Sequence, residues 1–339
     1  MTLESNSSGT DPGLFETVLG DGRPLLVLTG ASLMFSGGFA LFLSAGRQFL
    51  PQDLAFLGMT PAELCRLNGC RVLDFMIHDR VAFGGALIAI GSLFVWLAIF
   101  PLGEGEGWAW WIFILSGAIG FGSFLAYLGF GYLDTWHGVG TLLLLPVFVL
   151  GLVRSRRLVA GIGPGVMLRP RARPPWASQS GLGRGLMLVA AAGMTLGGFT
   201  ILWVGVTRVF VSQDLGFTGT TRMALDALNP RIVPLLAHDR AGFGGAVCTT
   251  GLTAFFCVWC GRPSRSLWQV LVISWAAASF TAIGIHFLVG YVSAVHLAPA
   301  VLGAIGFGVG LALSFEEMMR SPTPGTSPEL PSPTRYPTR

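Results

Sequence analysis

The chain contains no lysine, because all 21 of its basic residues are arginine. This is a coding bias with no function attached. Charge of either sign is scarce at 11% of residues; a soluble domain carries about a quarter, so a water-soluble enzyme is excluded. Histidine (5), cysteine (5) and tyrosine (4) are few enough to follow one by one. Also missing are a His-Glu-x-x-His helix, a Walker phosphate loop and a Gly-x-Ser-x-Gly elbow, the usual signatures of metalloprotease, nucleotide and acyl-transfer chemistry. The first 24 residues lack the basic stretch and short apolar core of a secretory leader.

What is present is apolar. Hydrophobic residues make up 52% of the chain, with 25 Phe, 10 Trp and 48 Gly, and mean hydropathy is +0.67. A bilayer crossing takes about 20 apolar residues, and stretches near that length lie at 25–45, 81–101, 109–131, 138–153, 185–207, 241–260, 267–291 and 296–315. The expected fold class is therefore all-α integral membrane, with about eight transmembrane helices. Membrane lipid is the expected partner, beside a small-molecule ligand. The net charge of +4 reads as a topology signal, so nucleic acid is not an expected partner.

Residues 1–24 read as a disordered cytoplasmic tail, 25–153 as a first four-helix membrane unit and 154–184 as a basic linker. A second four-helix unit is expected over 185–317, and a disordered Pro/Ser/Thr-rich tail over 318–339. The linker region holds Arg154, Arg156, Arg157, Arg169, Arg171, Arg173 and Arg184, and Arg262 and Arg265 follow span six. By the positive-inside rule this side and both termini face the cytoplasm of a bacterial inner membrane, although each long link on the other side also holds four arginines.

The strongest pattern is an internal duplication. Gln52-Asp53-Leu54 returns as Gln213-Asp214-Leu215, Leu67-Asn68 as Leu228-Asn229, and His78-Asp79-Arg80 as His238-Asp239-Arg240. Phe83-Gly84-Gly85-Ala86 returns as Phe243-Gly244-Gly245-Ala246, and Gly131-Tyr132 with His137 as Gly290-Tyr291 with His296. An even number of spans per copy gives both the same orientation, so the expectation is two parallel four-helix repeats, a pseudo-dimer of bundles.

In each half a long link precedes the His-Asp-Arg triplet. Thr60-Pro61-Ala62-Glu63 has the form of a capping box, with a short amphipathic helix expected over Leu64 to Ile77. The triplets read as lying where the links enter the membrane. There Asp79 and Asp239 suit a helix N-cap, and Arg80 and Arg240 can snorkel or pair with the adjacent Asp. A histidine at that depth is better explained by function. Phe-Gly-Gly-Ala reads as helix packing.

His78 is expected to meet His137, and His238 to meet His296, with Tyr132 and Tyr291 supplying hydroxyls nearby. His286 stands where the first half has Tyr127, and Ser293 where it has Asp134. The candidate binding residues are thus His78, Asp79, Arg80, Tyr132, His137, His238, Asp239, Arg240, His286, Tyr291 and His296. Candidate metal ligands are His78, His137, His238 and His296. Paired imidazoles suit a bis-His haem, a transition metal such as Zn or Cu, or a hydrogen-bonded quinone or anion. Cys65 and Cys70 suit a short disulfide, while Cys257-Val-Trp-Cys260 has no copy in the first half and reads as structural.

Gln-Asp-Leu, Leu-Asn and His-Asp-Arg-x-x-Phe-Gly-Gly together resemble the pattern of a group of uncharacterised multi-pass bacterial membrane proteins. The resemblance covers about a quarter of the chain and implies no activity. It marks His78, Asp79, Arg80 and their second copies as a signature. The leading expectation is a cofactor- or ligand-binding membrane protein. The alternatives are a transporter built from two parallel repeats and a membrane enzyme acting on a lipid.

Overall fold

The computed structural model describes residues 13, 19–125, 129, 131–132, 135–159, 161–169 and 175–320, and the side chains of Leu67, Trp136 and His137 are outside that set. The expected tails lie largely outside the described residues, as do Tyr127, Asp134, Arg171 and Arg173.

Among the described residues eight helices are long and apolar enough to cross a membrane, and no strand occurs. The protein is an all-α, multi-pass membrane protein. In chain order the helices are α1 (Arg23–Ala45), α2 (Pro51–Leu57), α3 (Pro61–Leu67), α4 (Arg71–Ile99), α5 (Gly107–Leu125), α6 (Thr135–Ser155), α7 (Gln179–Thr207), α8 (Ser212–Thr218), α9 (Arg222–Leu228), α10 (Ile232–Cys260), α11 (Arg265–Val289), α12 (Ala294–Leu313) and α13 (Phe315–Met319). The short pairs α2–α3 and α8–α9 are the two links.

Burial separates the long helices into two classes. The apolar window of α4 is 83% buried and that of α10 is 72%, against 17–39% for the other six. So α4 and α10 form the centre and the rest present one face to lipid. α4 packs against α1 and α11, α10 packs against α7 and α5, and the two central helices touch each other. α6 lies beside α1, and α12 beside α7 and α11. The third long helix of each half thus packs on the second long helix of the other half. This differs from the expected pair of separate four-helix bundles.

The adjacent glycines make that exchange possible. Successive helical positions point about 100° apart, so a Gly-Gly pair offers bare backbone to two neighbours at once. A Cβ on Gly84 would stand 2.9 Å from the Gly37 carbonyl oxygen of α1, and one on Gly85 would stand 1.8 Å from Thr281 Oγ1 of α11. In α10, a Cβ on Gly244 would lie 2.2 Å from Leu202 N of α7, and one on Gly245 2.1 Å from Ser123 Oγ of α5. The packing role expected for these glycines is the one they have.

The links follow local rules. Glu63 N donates to Thr60 Oγ1 (3.2 Å) and Thr60 N donates to Glu63 Oε2 (2.7 Å), the capping box expected at α3. The Thr60 amide and the Thr60 hydroxyl, which also donates to Glu63 Oε2 at 2.8 Å, hold the exposed Glu63 carboxyl below its ordinary pKa. Gly58 and Gly219 end α2 and α8 at φ +63° and +62°, which glycine adopts without strain. Cys65 and Cys70 are joined in a disulfide. Each link also clasps the other: Asn68 Nδ2 donates to the Thr218 carbonyl, and Asn229 Nδ2 donates to the Leu57 carbonyl at 2.9 Å.

The helix expected over Leu64–Ile77 is not one element. α3 ends at Leu67, and from Arg71 the chain is already α4. The span expected from 81 therefore begins ten residues earlier, and the one expected from 241 begins at Ile232. Both His-Asp-Arg triplets consequently sit about two turns inside a helix, not at its entry.

Candidate functional site

Inside a helix, Asp79 and Asp239 cannot act as N-caps; those positions belong to Cys70 and Arg231. Their charges are met instead by arginines from the opposite triplet. Arg80 Nε donates to Asp239 Oδ2 at 2.9 Å, and Arg80 Nη1 donates to Asp53 Oδ2 at 2.8 Å. Arg240 Nε lies 3.4 Å from Asp79 Oδ2, while its terminal nitrogens bond Asp214. The expectation that each Arg pairs with the Asp beside it fails. In a helix adjacent side chains diverge by about 100°, and the central packing of α4 on α10 brings the other triplet within reach.

Asp53 and Asp214 were not among the candidate residues, yet each anchors its half of this network. Each sits third in its short link helix, where its Oδ2 accepts from the N-cap amide: Leu50 N at 3.3 Å and Val211 N at 2.8 Å. The other oxygen accepts a tyrosine hydroxyl, Tyr132 on Asp53 and Tyr291 on Asp214. Burial alone would raise the Asp214 pKa; the Arg240 charge, reinforced by the Val211 amide and the Tyr291 hydroxyl, outweighs it and holds the carboxyl below its usual value. Burial and the Asp214 charge together push the Tyr291 hydroxyl well above the ordinary phenol value. The signal for both aspartates was in the sequence: Gln-Asp-Leu is repeated along with the triplets.

Each guanidinium also lies over an aromatic ring. Arg80 lies 4.8 Å from the centre of the Phe49 ring and Arg240 4.8 Å from that of Phe75. Arg240 Nη1 further donates to the carbonyl of Val209 at 2.9 Å. Val209 has φ +68°, a strained conformation for a β-branched residue, and this contact helps hold it.

The histidines break the likeness between the two triplets. His78, on α4, meets His286 on α11 and His296 on α12, and one nitrogen from each lies within 4.8 Å of those of the other two. His78 and His286 are buried, and their Nε2 atoms are 3.1 Å apart. Tyr291 stacks on His296 with ring centres 4.6 Å apart. His238 instead faces the Tyr132 ring at 5.0 Å. The expected grouping of His296 with His238 is thus replaced by a grouping across the halves, which follows from α11 and α12 lying near α4. The His137 side chain lies outside the described residues, as do Tyr127 and Asp134.

Hydrogen bonds at the far side of each ring define the tautomers. His286 Nδ1 is 2.6 Å from the carbonyl oxygen of Ala282, which can only accept, so Nδ1 carries the proton. His78 Nδ1 is 2.9 Å from Asp79 Oδ1, a carboxylate held by Arg240, and donates likewise. Both Nε2 atoms then present lone pairs to each other at 3.1 Å. Two lone pairs at that distance repel unless a cation or a shared proton lies between them.

No protein-family model, curated protein or solved structure matches this chain.

Proposed function

We propose that the protein is an intramembrane metal-binding protein in which His78, His286 and His296 hold one divalent transition metal, with Zn2+ the best fit. The observation that carries this is the pair of facing Nε2 lone pairs 3.1 Å apart. Two imidazoles on a tetrahedral zinc, at about 2.0–2.1 Å each, place their nitrogens about 3.3 Å apart. The Nδ1 bonds of His78 to Asp79 and of His286 to Ala282 are the outer partners that metal-bound histidines characteristically have. Three protein ligands leave a fourth coordination position for water or a substrate, the arrangement of reactive zinc sites.

A haem between His78 and His286 fits poorly. Two axial nitrogens span about twice a metal–nitrogen bond, roughly 4 Å, with a porphyrin between them, and here the gap is 3.1 Å with the rings nearly perpendicular at 86°. In the sequence Tyr127 is the counterpart of His286, so the His238 half keeps the charged frame but lacks that histidine. The recurring Arg–Asp, Asp–Tyr and Asn–carbonyl contacts support two parallel repeats that arose by duplication. The Cys65–Cys70 disulfide, a feature of oxidising compartments, and the arginines of the opposite linker support an extracytoplasmic site with both termini inside.

The test is elemental analysis, with a visible spectrum, of the protein purified in mild detergent without chelator. One zinc per chain, lost in His286→Phe and retained in His238→Phe, is the expected result. A Soret band, or a metal-free chain that takes up none of the Zn2+ offered, would defeat the reading. In the metal-free case the facing nitrogens would share a proton.

A further inference from the structure

The three-histidine cluster is the end point of a closed ring of contacts that leaves the membrane-spanning helices and returns to them. His78 Nδ1 bonds Asp79 Oδ1 at 2.9 Å, and Asp79 Oδ2 faces Arg240 Nε at 3.4 Å. Arg240 is held by Asp214, whose Oδ1 accepts the Tyr291 hydroxyl at 2.8 Å. The Tyr291 ring then lies on His296, with planes 22° apart. Asp214 belongs to α8, a link helix, so the ring starts and ends on cluster histidines but passes through a residue outside the long helices.

We infer that Asp214 and Arg240 are positioning residues of the metal site, acting through Asp79 on His78 and through Tyr291 on His296. This rests on the metal reading given above. Asp79 Oδ2 accepts no hydrogen bond among the described residues, so the Arg240 guanidinium is the contact that orients this carboxylate. Arg240 in turn has its terminal nitrogens fixed by Asp214 and the Val209 carbonyl. Asp214 therefore sets where Asp79 points, and Asp79 sets the tautomer and tilt of His78. Through Tyr291 the same carboxylate braces the ring that stacks on His296. The fold supplies an internal control. Asp53 makes the equivalent contacts to Arg80 and Tyr132, but the chain it begins leads through Asp239 to His238, away from the cluster.

The experiment is a Zn2+ titration against a competing chelator on the full chain in detergent, for wild type, Asp214→Asn and Asp53→Asn, with Co2+ absorption as a readout of ligand geometry. Loss of an outer-shell partner lowers metal affinity about 10- to 100-fold. That loss, with an altered Co2+ spectrum, is expected for Asp214→Asn only, while both variants lose thermal stability. Equal loss of affinity in the two variants would overturn the inference, since the frame would then be acting as general support. So would wild-type affinity in Asp214→Asn. Should Asp214→Asn not fold, Tyr291→Phe removes one link of the ring and keeps the stacked aromatic. A several-fold loss of affinity is expected there, and an unchanged affinity and spectrum would count against the inference. Failure of the wild-type chain to bind Zn2+ or Co2+ would overturn the metal reading itself, and this inference with it.

Discussion

The two His-Asp-Arg triplets pair the same charged residues and differ, among the described side chains, in what faces their imidazoles. Arg80 bridges Asp239 and Asp53 as Arg240 bridges Asp79 and Asp214, and a tyrosine closes each set. Yet among the described side chains His78 has two histidines and Tyr291 against its ring, and His238 has Tyr132. Features common to both places belong to the frame; those present at one alone belong to the chemistry. Arginine and aspartate, the residues that look most catalytic, fall in the first class, and the cluster around His78 in the second.

The most severe way to break this comparison is to remove an arginine. Arg80→Met and Arg240→Met each strand two buried carboxylates, and breaking a buried ion pair costs about 3–5 kcal/mol. Thermal unfolding in detergent should show comparable losses for both; a large loss at one triplet alone would end their equivalence as frames.

Gly85→Ala and Gly245→Ala come next, at about 1–3 kcal/mol each for overpacking. They sharpen the comparison because relief should differ. The atoms in the way at Gly245 are the Ser123 Oγ and Cβ, so Ser123→Gly, which removes both, should restore most of the packing loss. At Gly85 the Ala277 carbonyl oxygen remains 2.7 Å from the new Cβ, so Thr281→Ala should restore less. Melting temperatures of the single and double variants decide this.

Asn68→Ala removes one interlink hydrogen bond, to the Thr218 carbonyl, and Asn229→Ala removes two, to the Leu57 carbonyl and the Met59 sulfur, each carbonyl bond being worth about 1 kcal/mol. Small decreases in stability are expected at both, the larger at Asn229, whose side chain also accepts from the Arg231 amide, and a silent substitution at one would show that the clasp is one-sided.

The smallest effect is in pH. The Asp214 pKa is depressed in the folded protein, so its stabilisation is complete above the unfolded carboxyl value of about 4. It fades as pH falls below that value toward the folded one. A wild-type melting temperature that drops below about pH 4, with a shallower drop in Asp214→Asn, is the expected profile; parallel curves would remove Asp214 as the source.

Much of the fold was legible in the sequence because span length and apolar content are local properties. Composition required the eight long helices, and the capping signals of Thr60 and Glu63 placed α3. The starts of α4 and α10 were misplaced by about ten residues because a charged triplet reads as a membrane boundary when its partners are unknown. Those partners lie about 160 residues away in sequence, and no periodicity reports which half a helix packs against. For the same reason His286 and His296 could be named as candidates but not assigned to His78. Asp53 and Asp214 repeat with the triplets, and only the three-dimensional pairing shows what they hold.

The exchange of arginines between the triplets has a consequence for biosynthesis. When the ribosome has delivered α4, Asp53 already has Arg80, but the guanidinium that faces Asp79 is still untranslated. It arrives with Arg240 on α10, after three further long helices and a link have been made. Until then the nascent first half holds a carboxylate with no cation at bilayer depth. It should stay loosely assembled, and exposed to membrane proteases and insertion factors, until α10 enters. A frameshift or early stop before Arg240 would therefore leave a fragment the cell can recognise as unfinished.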